Sequence, residues 1–128
     1  MAGSEVTAFI SYAHVRDVRR SIGFYQTVGL PLVESVEHGG RPVWALLGSG
    51  AARVMLAAAD EPIERDRQGV LFYLYVTGLA ELHRGLAELG LDPGPITRPE
   101  HMPAGEFRLT DPDGYVLLIG DPTGQARD

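Results

Sequence analysis

This 128-residue chain has four histidines, five tyrosines and 17 carboxylates as its candidate acids, bases and metal ligands. It has no cysteine. The lack of cysteine excludes a thiol nucleophile, a Cys-ligated zinc or iron–sulfur site and a disulfide scaffold. No two histidines stand two or four residues apart, the spacing that puts two metal ligands on one face of a strand or helix. There is also no Gly-x-Ser-x-Gly, no P-loop and no helix-opening Gly-x-Gly-x-x-Gly. The motifs therefore give no support to nucleophilic, nucleotide-dependent or paired-histidine chemistry.

Aromatic side chains, in contrast, recur at the two-residue spacing that gathers them on one face of a strand. Tyr73 and Tyr75 alternate along the apolar run 70–76, and Tyr12 and His14 alternate along an earlier run. Buried phenols need hydrogen-bond partners, which a cleft supplies as water or ligand. We therefore predict a cleft with an aliphatic floor and aromatic walls, suited to a flat and largely apolar ligand.

Charge and hydropathy exclude two classes of partner. Lys and Arg number 11 against 17 Asp and Glu, so the net charge is −6 and the surface repels phosphate backbones. No apolar run approaches the roughly 20 residues that cross a membrane. Residues 1–6 lack the basic and apolar regions of a signal peptide. We therefore expect a cytoplasmic protein that binds neither nucleic acid nor membrane.

The elements that must position the aromatic residues repeat along the chain. The first half predicts a strand, a helix that begins after Asp17 and ends at Gly29, and three further strands. The second half predicts the same order, with Thr77 as the helix N-cap and Gly90 as the helix end. The strands are expected at residues 7–15, 30–37, 43–47, 53–58, 70–76, 107–110 and 115–119.

Landmarks of the two halves stand 61 residues apart, which indicates a duplication. The landmarks related by this offset are Val15 and Val76, Val18 and Leu79, Gly29 and Gly90, and Leu30 and Leu91. They predict an α+β fold of two tandem β-α-β-β-β modules within a single domain spanning residues 1–128. Module one covers about residues 5–60, a linker covers 61–69, and module two covers about 70–122. A generic α+β sandwich with coincidental spacing stays open as an alternative.

Three segments resemble the vicinal oxygen chelate superfamily, the glyoxalase/bleomycin-resistance/extradiol-dioxygenase group. They are V-x-D-x-x-x-S-x-x-F-Y-x-x-x-G-L from Val15 to Leu30, the helical segment 78–90, and F-R-L-T-D-P-D-G-Y from Phe107 to Tyr115. The resemblance covers about residues 5–122 and implies curved mixed sheets around a cleft. It also implies a homodimer, either strand-exchanged or side by side.

Enzymes of this superfamily usually hold a divalent metal through one His or Glu on each of four strands, and the resemblance locates those positions here. They are occupied by Ile10, Leu56, Leu71 and Leu118. Aliphatic side chains cannot ligate a metal. We therefore expect no metal and no other cofactor, and the resemblance points to the metal-free, antibiotic-binding resistance members.

The hypothesis that these residues favour is a metal-free protein that sequesters an apolar or aromatic natural product, as in antibiotic self-resistance. A metal-independent lyase, isomerase or cyclase is the alternative, with His14, His101, Tyr73 and Glu106 as candidate acids and bases. A dimer without a small ligand is a third. The ligand-binding residues predicted for the cleft are Tyr12, His14, Trp44, Leu56, Leu71, Tyr73, Tyr75, His101, Met102, Phe107 and Leu118.

Overall fold

The computed structural model describes residues 3–125. The chain separates into two compact units, one ending at Glu61 and the other beginning at Pro62. Each unit contains one mixed sheet and one α-helix, so the prediction of an α+β fold is confirmed. No helix in the described part of the chain is long and apolar enough to cross a membrane.

The first unit is a four-stranded sheet with one helix. Its elements are β1 (Ser11–Val15), α1 (Val18–Val28), β2 (Leu32–His38), β3 (Arg41–Ser49) and β4 (Ala52–Ala58). The strand order is β1-β4-β3-β2, with β1 parallel to β4 and the other neighbours antiparallel. Strand β2 therefore forms one edge of this sheet.

Helix α1 begins and ends where the sequence predicts. Asp17 precedes it in an extended conformation, and its Oδ1 accepts a hydrogen bond from the Arg20 N–H at 3.2 Å. Gly29 follows it with a φ of 119°, a left-handed conformation that glycine adopts without steric cost. The two caps set the register of the helix and hence its buried face, made of Val18, Ser21, Phe24, Tyr25 and Val28.

The core of the first unit lies on one face of its sheet. Ala13 on β1 pairs with Leu56 on β4, and Leu56 pairs with Ala45 on β3. All three are buried. The residues that alternate with them point to the opposite face of the sheet, and among these Tyr12 and His14 are exposed.

The second unit is a three-stranded sheet with one helix. Its elements are a 3₁₀ turn (Arg65–Arg67), β5 (Leu71–Tyr75), α2 (Leu79–Glu88), β6 (Glu106–Thr110) and β7 (Val116–Gly120). The strand order is β5-β7-β6, with β5 parallel and β6 antiparallel to β7. The core of this unit contains Leu79, Leu86, Phe107, Leu109, Leu117 and Ile119.

The second module has one strand fewer than the β-α-β-β-β repeat predicts, although the three strands expected at 70–76, 107–110 and 115–119 all form. Residues 91–105 lie between α2 and β6 and contribute an isolated bridge between Thr97 and Glu106. Prolines at positions 93, 95, 99 and 103 remove the N–H donors that a strand in this segment would need. The α+β fold of two modules is thus the predicted one, and only the fourth strand that the repeat implies for the second module is absent from its sheet.

Two predicted boundaries also differ from the structure. Strand β1 begins at Ser11 and not at residue 7, because β4 pairs with it only from Val54 onward. Thr77 is not the N-cap of α2; Gly78 holds that position with a φ of 69° and no side-chain hydrogen bond. Glycine reaches this left-handed conformation more easily than threonine, whose Cβ is branched.

The turn between β6 and β7 holds two buried carboxylates. Asp111 is fully buried, and its Oδ1 accepts hydrogen bonds of 2.8 Å from the N–H groups of Asp113 and Tyr115. Gly114 has a φ of 91°, and a Cβ at this position would overlap the carbonyl oxygen of Arg65. The Asp-Pro-Asp-Gly sequence thus forms a tight turn between the two strands.

Candidate functional site

The face of the second sheet turned away from its buried core carries most of the predicted site. Strand pairing puts three rows on this face: Leu71 beside Val116, Tyr73 beside Leu118, and Tyr75 beside Gly120. Leu71, Tyr73 and Tyr75 are 42%, 44% and 53% exposed. On β6 the same face carries Glu106, Arg108 and Thr110. We call this surface the second open face.

Two tyrosines form the aromatic part of the second open face. The rings of Tyr73 and Tyr75 lie 5.6 Å apart between centroids, with an angle of 68° between their planes. This edge-to-face arrangement is favourable for aromatic pairs and leaves ring surface exposed. The alternation along the strand therefore brings both phenols to one face, as the sequence predicts.

A polar cluster borders these rings at the start of β6. The Tyr73 hydroxyl donates a hydrogen bond of 2.6 Å to Oε1 of Glu106, and His101 Nε2 lies 3.4 Å from the same oxygen. The Glu106 side chain is only 13% exposed, whereas the His101 side chain is 63% exposed. Partial burial and the hydrogen bond to the carboxylate raise the pKa of Tyr73 to about 12. At neutral pH this phenol therefore remains a hydrogen-bond donor to Glu106.

A cavity of about 210 Å³ opens beside the polar cluster. The segment 94–97 forms one wall, because it follows β6 through hydrogen bonds from Gly94 N–H to Arg108 O and from Thr97 N–H to Glu106 O. Glu106, Arg108 and Leu118 line the cavity from the sheet. The cavity thus combines an apolar floor with one carboxylate and one guanidinium.

The first sheet has an open face of its own, opposite its core. Strand pairing brings His14, Ala57 and Trp44 into one row and Tyr12 beside Met55. The rings of Tyr12 and His14 lie 5.5 Å apart, and Trp44 is half-buried. Three of the predicted ligand-binding residues therefore share this first open face.

Three other predicted ligand-binding residues are buried within their own units. Leu56 is fully buried beside Ala13, on the core face of the first sheet. Its placement on the cleft face is wrong, because a register error of one residue moves a side chain to the other side of a strand. The residues of β4 on the open face are Met55 and Ala57.

Phe107 and Met102 are the other two. Phe107 is 2% exposed and packs edge-to-face against His83 of α2, with 4.9 Å between ring centroids. Met102 is fully buried, and its Sδ lies 3.2 Å from the position that a Cβ on Gly120 would occupy. The glycine therefore makes room for this side chain. Met102 therefore offers no surface to a ligand, whereas Phe107 lines the cavity of about 210 Å³ despite its low exposure.

The divalent metal that the resemblance implies does not fit the residues present. Leu71 and Leu118 belong to the second open face and cannot act as ligands, and Ile10 is equally aliphatic. On β4 the open-face residues Met55 and Ala57 supply neither a carboxylate nor an imidazole. Within residues 3–125, no group of three or more His, Cys, Asp or Glu side chains is arranged to hold a metal ion.

Glu106 and Arg108 line the cavity but are not among the predicted ligand-binding residues. The sequence offers Glu106 only as a candidate acid or base of the alternative enzyme, and it offers no role for Arg108. The signal was present in E-F-R-L-T, where polar residues at 106, 108 and 110 alternate with Phe107 and Leu109. Such alternation indicates a strand with one face in the core and a polar face outside it.

Comparison with known proteins matches these features to one family and one fold. The model of the Glyoxalase/Bleomycin resistance protein/Dioxygenase superfamily matches residues 10–119. TioX from Micromonospora sp. ML1 is 17% identical with a TM-score of 0.73, over 91% of this chain and 98% of that chain. A bleomycin resistance determinant encoded on the transposon Tn5 is 18% identical with a TM-score of 0.71, over 91% and 98%.

A third similar structure is TnmS3, an antibiotic binding protein from Streptomyces sp. CB03234. It is 23% identical with a TM-score of 0.65, over 95% of this chain and 98% of that chain. No curated protein sequence matches the chain. At these identities the similarity to the solved structures is one of fold.

Proposed function

We propose that this chain, which belongs to the Glyoxalase/Bleomycin resistance protein/Dioxygenase superfamily, binds and sequesters an apolar, aromatic natural product without transforming it. The observation that carries the proposal is the second open face, where Leu71, Tyr73 and Tyr75 are all exposed. Covering such a surface releases its water and is favourable by about 25 cal/mol per Å² of apolar area. The two tyrosine rings add stacking partners for a flat ligand.

The first open face supports the same proposal with Tyr12, His14 and Trp44. An aromatic ligand gains about 0.5–1.5 kcal/mol per stacked ring beyond the burial of area. We therefore assign ligand contact to the exposed residues of each open face and not to Leu56 and Met102, which are fully buried. Similar folds are those of a bleomycin resistance determinant and an antibiotic binding protein, so antibiotics are the compounds to test first.

We further propose that the protein works as a metal-free homodimer. Strand β2 is an edge strand with every residue exposed, including the apolar Leu32, Val33 and Val36. Edge strands of this kind are favourable sites for pairing with another chain. Sedimentation velocity over a range of concentrations tests this, with a mass of two chains expected. A mass of one chain at every concentration would contradict the proposal.

The function itself is tested by native mass spectrometry of the protein against a panel of aromatic natural products. We expect a complex whose mass increase equals that of the intact compound. Elemental analysis of the dialysed protein accompanies it, with far less than one divalent metal ion per chain expected. A panel without any binder would contradict the sequestration proposal, and one metal ion per chain would contradict its metal-free part.

A second candidate function rests on the polar cluster. Tyr73, Glu106 and His101 meet within 3.4 Å, and a phenol, carboxylate and imidazole together can move a proton. These are three of the four residues that the sequence offers as acids or bases; His14 belongs to the first unit. A metal-independent isomerase or lyase would return a changed compound from the same mass-spectrometric experiment. If the wild-type protein changed the compound and His101→Ala did not, catalysis would replace sequestration as the proposed function.

A further inference from the structure

We infer that Glu106 selects ligands that carry a protonated amine, which it binds in the cavity beside β6 while the aromatic body of the ligand covers Tyr73 and Tyr75. This inference rests on the proposed binding function and adds the chemical class of the ligand. It is independent of the family's metal positions, none of which lies on β6.

The acceptor for the amine is the second oxygen of the Glu106 carboxylate. Tyr73 and His101 both approach Oε1. Within residues 3–125, no hydrogen bond or ion pair is formed with Oε2, and no buried side-chain oxygen or nitrogen lacks a hydrogen-bond partner. Oε2 therefore reaches solvent, although the side chain is 13% exposed as a whole. A carboxylate oxygen in such a place forms strong charge-assisted hydrogen bonds with a cationic donor.

The tyrosine strengthens the selectivity for donors. Its hydroxyl hydrogen is engaged by Glu106 at 2.6 Å, so the phenol oxygen faces a ligand as a hydrogen-bond acceptor. Carboxylate and phenol together thus offer acceptors to the ligand. An ammonium group, with three donors and a positive charge, satisfies both better than an alcohol does.

Arg108 fixes the direction in which the ligand enters. It lines the same cavity two residues along β6, a spacing of about 6.6–6.8 Å on a strand. Its guanidinium repels an ammonium group from that end, so the amine is directed to Glu106. The cavity of about 210 Å³ holds about seven water volumes of about 30 Å³ each. It therefore accepts the amine end of a ligand, and the remainder lies on the tyrosines.

Three probes of one shape test this inference by fluorescence titration: 2-naphthylmethylamine, 2-naphthylmethanol and 2-naphthoate, which are cationic, neutral and anionic at neutral pH. The wild-type protein should bind the amine about tenfold more tightly than the alcohol, as expected for a hydrogen bond to a charged group. The anion should bind most weakly. This ratio is measured without any variant.

Glu106→Gln and Glu88→Gln form a matched pair of variants. Both remove one negative charge, but Glu88 is an exposed residue at the end of α2. Glutamine at 106 still accepts the hydrogen bond from Tyr73, so the fold should persist, and circular dichroism checks it. We expect Glu106→Gln to bind the amine and the alcohol within about twofold of each other, and Glu88→Gln to keep the tenfold preference.

The outcomes separate the two proposals. If the wild-type protein binds the amine and the alcohol equally, or Glu106→Gln keeps the preference, the role of Glu106 is wrong while apolar binding stands. If both variants lose the preference, long-range charge and not the site explains it, which also overturns the inference. If no naphthyl probe binds, apolar binding itself is wrong and both proposals fall.

Discussion

Leu71→Glu should abolish much of the ligand affinity and leave the fold intact. Leu71 is 42% exposed, so covering it with a ligand contributes about 0.6–1.3 kcal/mol of the 1.5–3 kcal/mol for a fully buried leucine. A glutamate there loses this contribution and must also shed water from its carboxylate, at a cost of about 1–3 kcal/mol or more. The sum, about 2–4 kcal/mol, corresponds to a roughly 30- to 1000-fold weaker complex.

The assay is a titration with a neutral aromatic ligand, 2-naphthylmethanol or an uncharged compound from the panel, because a cationic ligand would be attracted by the new carboxylate. Leu89→Glu is the matched control, since Leu89 is 67% exposed at the C-terminus of α2 and away from the open face. Thermal unfolding should show that both variants retain stability within about 1 kcal/mol. Equal binding by a folded Leu71→Glu protein and by Leu89→Glu would show that the second open face is not the binding surface.

Three further predictions follow from single residues. The pKa of about 12 at Tyr73 lies above its value of about 10 in the unfolded chain, so the free energy of unfolding should fall as pH rises from about 10 to 12. Urea titrations at each pH should show a smaller fall in Tyr73→Phe and an unchanged fall in Tyr75→Phe. Gly114→Ala should lose about 3 kcal/mol or more, or fail to fold, because its Cβ overlaps the Arg65 carbonyl. In the control Gly124→Ala, where φ is 79° and the new Cβ would lie 3.5 Å from Pro103 Cγ, the free energy of unfolding should fall by only about 1–2 kcal/mol. Similar chemical-denaturation midpoints for the two variants would contradict this account. Trp44 is the single tryptophan, so an aromatic ligand on the first open face should change the intrinsic fluorescence of the protein. Trp44→Ala should weaken binding by about two- to tenfold. An unchanged affinity would show that Trp44 does not contact the ligand.

Local sequence patterns were sufficient to predict the ends of α1 and the face on which the tyrosines of β5 lie. Asp17 and Gly29 delimit α1 because a helix leaves N–H groups that a carboxylate can accept and ends in a conformation that glycine favours. The alternation of Tyr73 and Tyr75 was sufficient to put both on one face, because the side-chain period of a strand is two residues. The positions that the resemblance gives for the family's metal ligands are likewise aliphatic in the sequence itself.

The missing strand shows the limit of that reasoning. The duplication predicted four strands in the second module, but residues 91–105 form a loop with one isolated bridge. The prolines that prevent a strand are visible in the sequence, and only the repeat, not residues 91–105 themselves, implies a strand there. A repeat transfers element order, whereas each copy must still supply its own backbone donors.

The sequence by itself determined the fold class, both ends of α1 and the faces of β5 and β7, because these depend on near neighbours and on short periods. Only the tertiary structure decided the facing of Leu56, since the pairing of β4 with β1 and β3 determines which of its residues reach the core. It alone also brought Tyr73, Glu106 and His101 together, from positions up to 33 residues apart. Strand pairing across the sheet and the course of the proline-rich loop create these contacts, and no local pattern in the chain encodes the distances between the three side chains.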